Sequence, residues 1–252
     1  MKDLISVLDK GFVRFVDGSK NSDSAVVDAA RVSYGGVSKG AEADKKLIGY
    51  LLKHHHGTPF EATFFKFHIK APILVFRQWH RHRIGVGYNE LSARYTEMKD
   101  EFYIPKVWRA QDTKNKQGSV AADLDHAVLS RQLEVDSARA MENYRFYLGE
   151  GVAREMARMV LPVNLYSEMY FTCNARSLMS FLSLRSDTHA QWEIRQYSHA
   201  LAWFMKREMP WTYEALTNAA ETPVLPDLRE MVETVDAFGE ESAAGGCVPQ
   251  MV

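Results

Sequence analysis

The densest chemistry in the sequence is the run Arg77-Gln78-Trp79-His80-Arg81-His82-Arg83, in which five of seven side chains are cationic or can become so. A planar guanidinium forks onto two oxygens at once, so arginines at this density suit phosphate groups. A basic face at a helix end, where cations complement the helix dipole, accounts for the same pattern without a ligand. The next residues favour the phosphate reading. Ile84-Gly85-Val86-Gly87-Tyr88 reads as a flexible loop, followed by Asn89-Glu90-Leu91-Ser92-Ala93-Arg94-Tyr95. A loop that returns Ser92 and Arg94 toward Gln78 and Arg81 gathers hydroxyl, amide and guanidinium donors into a cradle. Gly85 and Gly87 are not a dinucleotide fingerprint, because Glu90 stands where G-x-G-x-x-G needs its third glycine, and no P-loop is present.

A second cluster comprises Arg154, Arg158, Asn174, Arg176, Arg185, His189 and Arg195, set among apolar residues. Any one of these arginines could simply lay its stem on apolar surface and reach water. Several together imply anionic partners, because a buried guanidinium needs them. On a helix through Arg176, positions 176 and 180 share a face, with 183 or 184 one turn further. His54-His55-His56-Gly57-Thr58 suggests a turn offering one imidazole and the Thr58 hydroxyl. Adjacent histidines point apart, so a metal site is the weaker reading. Cys173 reads as a small core residue rather than a nucleophile.

The elements that must position these groups belong to a chain of 252 residues, long enough for a substantial core. Lys and Arg total 31 against 32 Asp and Glu, a net charge of −1, which argues against a wrapped nucleic acid. The two cysteines, Cys173 and Cys247, form no disulfide framework and suit a reducing cytoplasm. The N-terminus shows no signal peptide, and no apolar run is long enough to span a membrane.

Along the chain, Gly11 to Asp17 reads as a strand. A helix capped by Ser22 or Asp23 runs through Val32, and a second carries Leu47, Leu51 and Leu52. Ala62 to Lys70 alternates as a strand, with Phe65, Phe67 and Ile69 on one face and Lys66, His68 and Lys70 on the other. A helix over Ile73 to Arg81 starts at Pro72. The longest helix covers 120–148 and ends at Gly149 and Gly151. Pro162 stops a short helix from Val152. Tyr166 to Thr172 is a strand, followed by helices over Ala175 to Leu184 and Thr188 to Arg207, the latter punctuated by Pro210. Helices with irregularly interspersed strands make the chain α+β. Residues 1–221 form one domain. Residues 222–252 form an acidic C-terminal extension, with six acidic residues between Asp227 and Glu241.

Taken together, these residues resemble the flavin-dependent thymidylate synthases. The hallmark of that family is Arg-His-Arg, seven or eight residues, then Ser, and here Arg81-His82-Arg83 is followed after eight residues by Ser92, Ala93 and Arg94-Tyr95. The resemblance also covers His56-x-Thr58-Pro59-Phe60-Glu61 and Phe76-Arg77-Gln78-Trp79. It continues through Arg154-Glu155-x-Ala157-Arg158, Asn174-Ala175-Arg176-Ser177-Leu178 and Leu184-Arg185-x5-Gln191-Trp192-Glu193.

What the resemblance implies is dTMP synthesis from dUMP, with methylenetetrahydrofolate as one-carbon donor and FAD, reduced by NADPH, as hydride donor. It implies an α+β fold of helices and antiparallel sheet, assembled as a homotetramer with sites shared between subunits. By the same resemblance, Arg185 is catalytic and acts on the uracil ring. Gln78, Trp79, His80 and Arg81 contact dUMP, as do Glu90, Leu91, Ser92, Ala93 and Arg94, with Arg158 reaching the dUMP of a neighbouring subunit. His56, Thr58, Arg81, His82, Arg83 and Glu90 line the FAD, together with Asn174, Ala175, Arg176, Ser180 and His189. Ser180 stands where the family often has Asn. The competing reading is a nucleic-acid-binding module in which Trp79, Tyr88 and Tyr95 stack on bases. The neutral net charge and the second arginine cluster weigh against it.

Overall fold

The computed structural model describes residues 3–20, 22–35 and 38–218; the expected acidic extension and Cys247 lie outside them. Strands β1 (Leu4–Val7), β2 (Gly11–Gly18), β3 (Phe65–Pro72), β4 (Val86–Glu90), β5 (Arg109–Gln111), β6 (Ser119–Ala121) and β7 (Tyr166–Cys173) are interspersed with eight α-helices among the described residues. These are α1 (Ser22–Arg31), α2 (Ala41–Lys53), α3 (Ile73–Trp79), α4 (His126–Gly149), α5 (Arg154–Ala157), α6 (Ala175–Arg185), α7 (Trp192–Glu208) and α8 (Pro210–Asn218). Five strands form one antiparallel sheet in the order β1-β2-β3-β7-β4. The α+β reading holds. No helix among the described residues is long and apolar enough to cross a membrane.

Alternation on β3 does what its sequence predicts. Phe65, Phe67 and Ile69 are fully buried, and their register partners on β7 include Cys173, Phe171 and Met169. Helix α7 covers that face with Ile194, Tyr197, Leu201 and Phe204, and the Phe67 and Phe204 ring centroids lie 5.8 Å apart. Each phenylalanine so buried contributes about 1.5–3 kcal/mol, so this stripe drives the docking of helix on sheet. A smaller core under α4 joins Phe102, Met141, Tyr144, Ala157 and Leu165.

Several boundaries differ from the sequence reading. The segment 84–88 is not a loop throughout: Val86 to Glu90 is β4, paired in register with β7 from Cys173 to Met169. Gly85 makes the turn at φ +66°, and a Cβ on Gly87 would lie 2.7 Å from Thr172 Oγ1. The two glycines therefore serve a turn and a close sheet contact, not mobility. The long helix starts at His126, because Asp125 caps it by accepting from Val128 N at 3.0 Å. Ala122 and Leu124 precede it, and Ser119–Ala121 is β6. Helix α7 begins at Trp192 rather than Thr188, since the Asp187 carboxylate turns the chain by accepting from His189 N at 2.7 Å. The strand read from Ala62 starts at Phe65, α3 stops at Trp79, and the short helix begins at Arg154. Pro210 does not merely end α7; it occupies the first position of α8.

Asp23, read as a possible cap for its own helix, caps another. Its carboxylate accepts from Trp211 N at 2.8 Å, Thr212 N at 3.0 Å and Thr212 Oγ1 at 2.6 Å, which ties α1 to the start of α8. Asp23→Ala leaves those buried donors unpaired and should cost about 2 kcal/mol, read as a lower denaturant midpoint. Asp23→Asn, which keeps an acceptor oxygen, should recover part of the loss. A midpoint unchanged in Asp23→Ala would contradict the cap.

Candidate active site

Asn174 sets α6 in place by accepting from Ser177 N at 2.8 Å, an N-cap at the point where β7 ends. One face of α6 buries Ala175, Leu178, Met179 and Leu182, while Arg176, Ser180 and Leu184 are exposed, the spacing expected of the sequence. The helix ends on Arg185, which is half-buried. Its Nε donates to His82 Nε2 at 2.9 Å, and its Nη2 donates to the Gln78 carbonyl at 3.3 Å.

Both partners of Arg185 are neutral. An imidazole nitrogen that accepts carries no proton, so His82 is the neutral ring with its proton on Nδ1. Burial, and then the Arg185 charge, push the His82 imidazole down to about 4. Burial also draws Arg185 below its ordinary value, yet a guanidinium stays charged at any physiological pH. The backbone beneath is held by Tyr88 on β4, whose hydroxyl reaches the His82 carbonyl at 2.6 Å and the Trp79 carbonyl at 3.1 Å. Burial pushes the Tyr88 phenol up, so that it remains a donor. Among the described residues no carboxylate pairs with Arg81 or Arg83, and both are exposed.

The residues expected to line a flavin converge on the start of α6. Gly57, between His56 and Thr58, lies so close to Arg176 that a Cβ there would sit 2.7 Å from Nε. Arg176 pairs with Glu61. On the other side, Ser177 Oγ donates to the Ile84 carbonyl at 2.7 Å, and Asn174 N to the Gly85 carbonyl at 3.4 Å. His56, Thr58 and Arg83 are thus exposed on segments packed against the start of α6, while Arg176 and Ser180 are exposed on the helix itself. His189 is exposed on the far side of the turn after α6, its ring held by Asp187 at 2.7 Å.

The residues expected to meet a nucleotide fall into two groups. Gln78 stands with Arg185. Glu90 accepts from Ser167 Oγ at 2.8 Å and lies 3.9 Å from His80 Nε2. Arg94 pairs with Glu155 at 3.0 Å, and Arg158 Nε donates to the Glu155 carbonyl at 3.4 Å. Ser92 Oγ accepts from Arg94 N at 3.3 Å. Neither Ser92 nor Arg94 bonds to Gln78 or Arg81 within the chain, so the cradle read from the sequence is not closed in one subunit. Four expected contacts are restricted by packing or backbone pairing. The Trp79 ring is fully buried against Phe171 and Phe181 and is unavailable to a ligand. Ala175 is fully buried with its N–H taken by Thr63 Oγ1 at 3.0 Å. Ala93 is buried, and Leu91 N donates to the Glu168 carbonyl.

Sequence reasoning places Glu193 in the Gln191-Trp192-Glu193 block but assigns it no role, although it gathers Arg109, Tyr103 and Gln191 next to Gln78. Its signal was an acidic residue on the apolar stripe that continues through Ile194, Tyr197 and Leu201. Gln191 and Glu193 also line a cavity of about 250 Å³ with Tyr103, Trp108 and Arg109. Cys173 is fully buried, and burial pushes its thiol up, so it offers no thiolate. The rings of His54 and His56 pack on Tyr50, with centroids 4.3 and 6.0 Å away.

The family described as "Thymidylate synthase complementing protein" matches residues 14–211, which contain every one of these side chains. A flavin-dependent thymidylate synthase of Thermosipho africanus is 52% identical over 217 residues, 85% of this chain and 94% of the relative. The chain belongs to the flavin-dependent thymidylate synthase family. A second such family member, from Thermus thermophilus, is 51% identical over 84% of this chain and 77% of its own. Among solved structures, the UMP/dUMP methylase PolB of Streptomyces cacaoi, bound with 5-Br dUMP, superposes with a TM-score of 0.79 at 37% identity. That likeness covers 86% of this chain and 99% of PolB. The Arg81-His82-Arg83 motif of this family member thus includes the ring that accepts from Arg185.

Because the folded His82 sits near 4, below its unfolded value near 6.5, its contribution to stability is complete above about 6.5 and lost as pH falls toward about 4. Histidine hydrogen exchange followed by mass spectrometry should find His82 neutral from about pH 5.5 upward. In Arg185→Ala its pKa should rise part of the way back, since burial remains. Titration of His82 near 6.5 in the parent would contradict the Arg185 contact.

Proposed function

We propose that the chain converts dUMP to dTMP, using methylenetetrahydrofolate as one-carbon donor and FAD reduced by NADPH, with tetrahydrofolate released. The observation that carries the proposal is Arg185, a half-buried guanidinium with two neutral partners and, among the described residues, no carboxylate, beside the Arg81-His82-Arg83 turn. Such a cation lacks its anion, and a nucleotide supplies one. The name and 52% identity of the Thermosipho africanus relative support the reaction, and the bound 5-Br dUMP of PolB supports the substrate class.

The residues present fit both anionic ligands. Exposed Arg83 and Arg176, the Thr58 hydroxyl and His56 lie about the start of α6, with Ser180 further along its exposed face and His189 beyond its end; together they would hold FAD, with Asn174 and the buried Ala175 behind them. When bound and reduced, FAD supplies the hydride. Gln78, Arg81 and His80, with the segment from Glu90 through Leu91, Ser92 and Ala93 to Arg94, would hold dUMP. Arg185, aimed by His82 and the Gln78 carbonyl, stabilises negative charge as it develops on the pyrimidine ring, which makes the ring carbon a better nucleophile toward the one-carbon unit. A fixed guanidinium needs no proton transfer to do this.

The separation of the Arg94–Glu155–Arg158 group from Gln78 and Arg185 supports sites completed between copies, in a homotetramer where Arg158 serves a neighbour's dUMP. Elution of a flavin-saturated monomer would remove that part of the proposal. We assign the catalytic unit to residues 1–221, outside the acidic extension, and the protein to the cytoplasm.

Arg185→Ala should lower dTMP turnover by about 10²–10³-fold at saturating dUMP while FAD content stays close to the parent's. Arg185→Lys should recover little, because an ammonium cannot donate to His82 and Gln78 in the same fork. Parent-like turnover in Arg185→Ala would overturn the assignment.

A further inference from the structure

Glu193 is a charged side chain only 3% exposed, in the first turn of α7, and both of its oxygens accept hydrogen bonds. Oε1 accepts from Arg109 Nη2 at 2.7 Å and from Tyr103 OH at 3.2 Å; Oε2 accepts from Gln191 Nε2 at 2.8 Å. Burial pushes this carboxyl up, but the hydrogen bonds from Arg109 and Gln191 outweigh burial and hold it below the usual range. It is therefore ionised, and an ionised carboxylate only accepts.

That one-sidedness has consequences along the chain of amides. Gln191 must turn its NH2 to Glu193, which leaves its oxygen facing Gln78. Gln78 must answer with Nε2, and the structure shows that bond, Gln78 Nε2 to Gln191 Oε1. The Gln78 side-chain oxygen is then the end left for a ligand. Gln78 is already fixed from behind, since its backbone carbonyl accepts from Arg185. An isolated glutamine can flip its amide at little cost; this one would set its oxygen against the Gln191 oxygen unless Gln191 also turned and gave up its half-buried, charge-assisted bond to Glu193.

We propose that Glu193 is a positioning residue which, through Gln191, sets the polarity of Gln78 so that Gln78 presents its side-chain oxygen to a hydrogen-bond donor on the nucleotide. The inference rests on the reading that Gln78 meets dUMP. Gln191 is exposed, so its replacement leaves the core intact. Tyr103 and Arg109 stand behind Glu193 and keep its charge in place.

The test is steady-state kinetics and FAD content of the full-length holoenzyme in Gln191→Ala, Glu193→Gln, Gln78→Ala and the two double variants with Gln78→Ala. Gln191→Ala and Glu193→Gln should each raise KM for dUMP by about three- to tenfold, the worth of one neutral hydrogen bond. Turnover at saturating dUMP and FAD content should stay near the parent's, which loss of folding would not spare. In the Gln78→Ala background both changes should cost nothing further, because they act through the amide already removed. Additive costs, or a parent-like KM in Gln191→Ala alongside a raised KM in Gln78→Ala, would overturn the relay while leaving Gln78 as a dUMP contact. A parent-like KM in Gln78→Ala itself would overturn the reading of Gln78, and the relay with it. Should Glu193→Gln fold poorly, Gln191→Ala alone decides between these outcomes.

Discussion

A guanidinium held half-buried between two neutral acceptors is the constraint around which this fold is arranged. Placing Arg185 away from water costs free energy that no carboxylate among the described residues returns, and its hydrogen bonds to His82 and the Gln78 carbonyl keep it in place. Each acceptor is fixed in turn. His82 keeps a free lone pair only while it is neutral, and burial keeps it so. Its backbone is pinned by Tyr88, which is aimed by the pairing of β4 with β7. Arg185 itself comes at the end of a helix whose start is capped as β7 finishes. One strand therefore carries both sides of the contact.

The same strand links stability to chemistry. Its inner face, Met169, Phe171 and Cys173, belongs to the core under α7, and the start of that helix sets Glu193 and the preceding Gln191 beside Gln78. Packing that holds the helix on the sheet also holds the amides and the arginine in register. Charge left without a counter-anion costs stability, and a site that binds anions accepts that cost so that the ligand, not the protein, completes the pairing. Gly57 and Gly85 answer to the same crowding: a side chain at either would displace Arg176 or Ser177 from the start of α6.

Much of this was legible in the residues. The alternation of Phe65, Phe67 and Ile69, the faces of α6 and the Arg-His-Arg motif follow from periodicity and residue type, which are local properties. The parts that were not legible depend on neighbours distant in the chain. Gly85 and Gly87 look like a flexible loop until Thr172 is seen against Gly87 and β7 is seen to need a partner at its edge. Asp23 looks like the cap of its own helix, yet it caps α8, nearly the length of the described chain away. Trp79 sits within the richest motif and still turns its ring into the core. Glu193 stands in a family motif block with no role of its own until Arg109, Tyr103 and Gln191 are placed around it.

The most direct test of the account is a crystal structure of the holoenzyme with FAD and dUMP bound. It should show the Arg185 guanidinium still donating to His82 Nε2 while a remaining N–H meets the pyrimidine ring of dUMP, so that the substrate supplies the missing anion. Arg185 turned away onto a carboxylate of the protein, with the pyrimidine bound elsewhere, would contradict it.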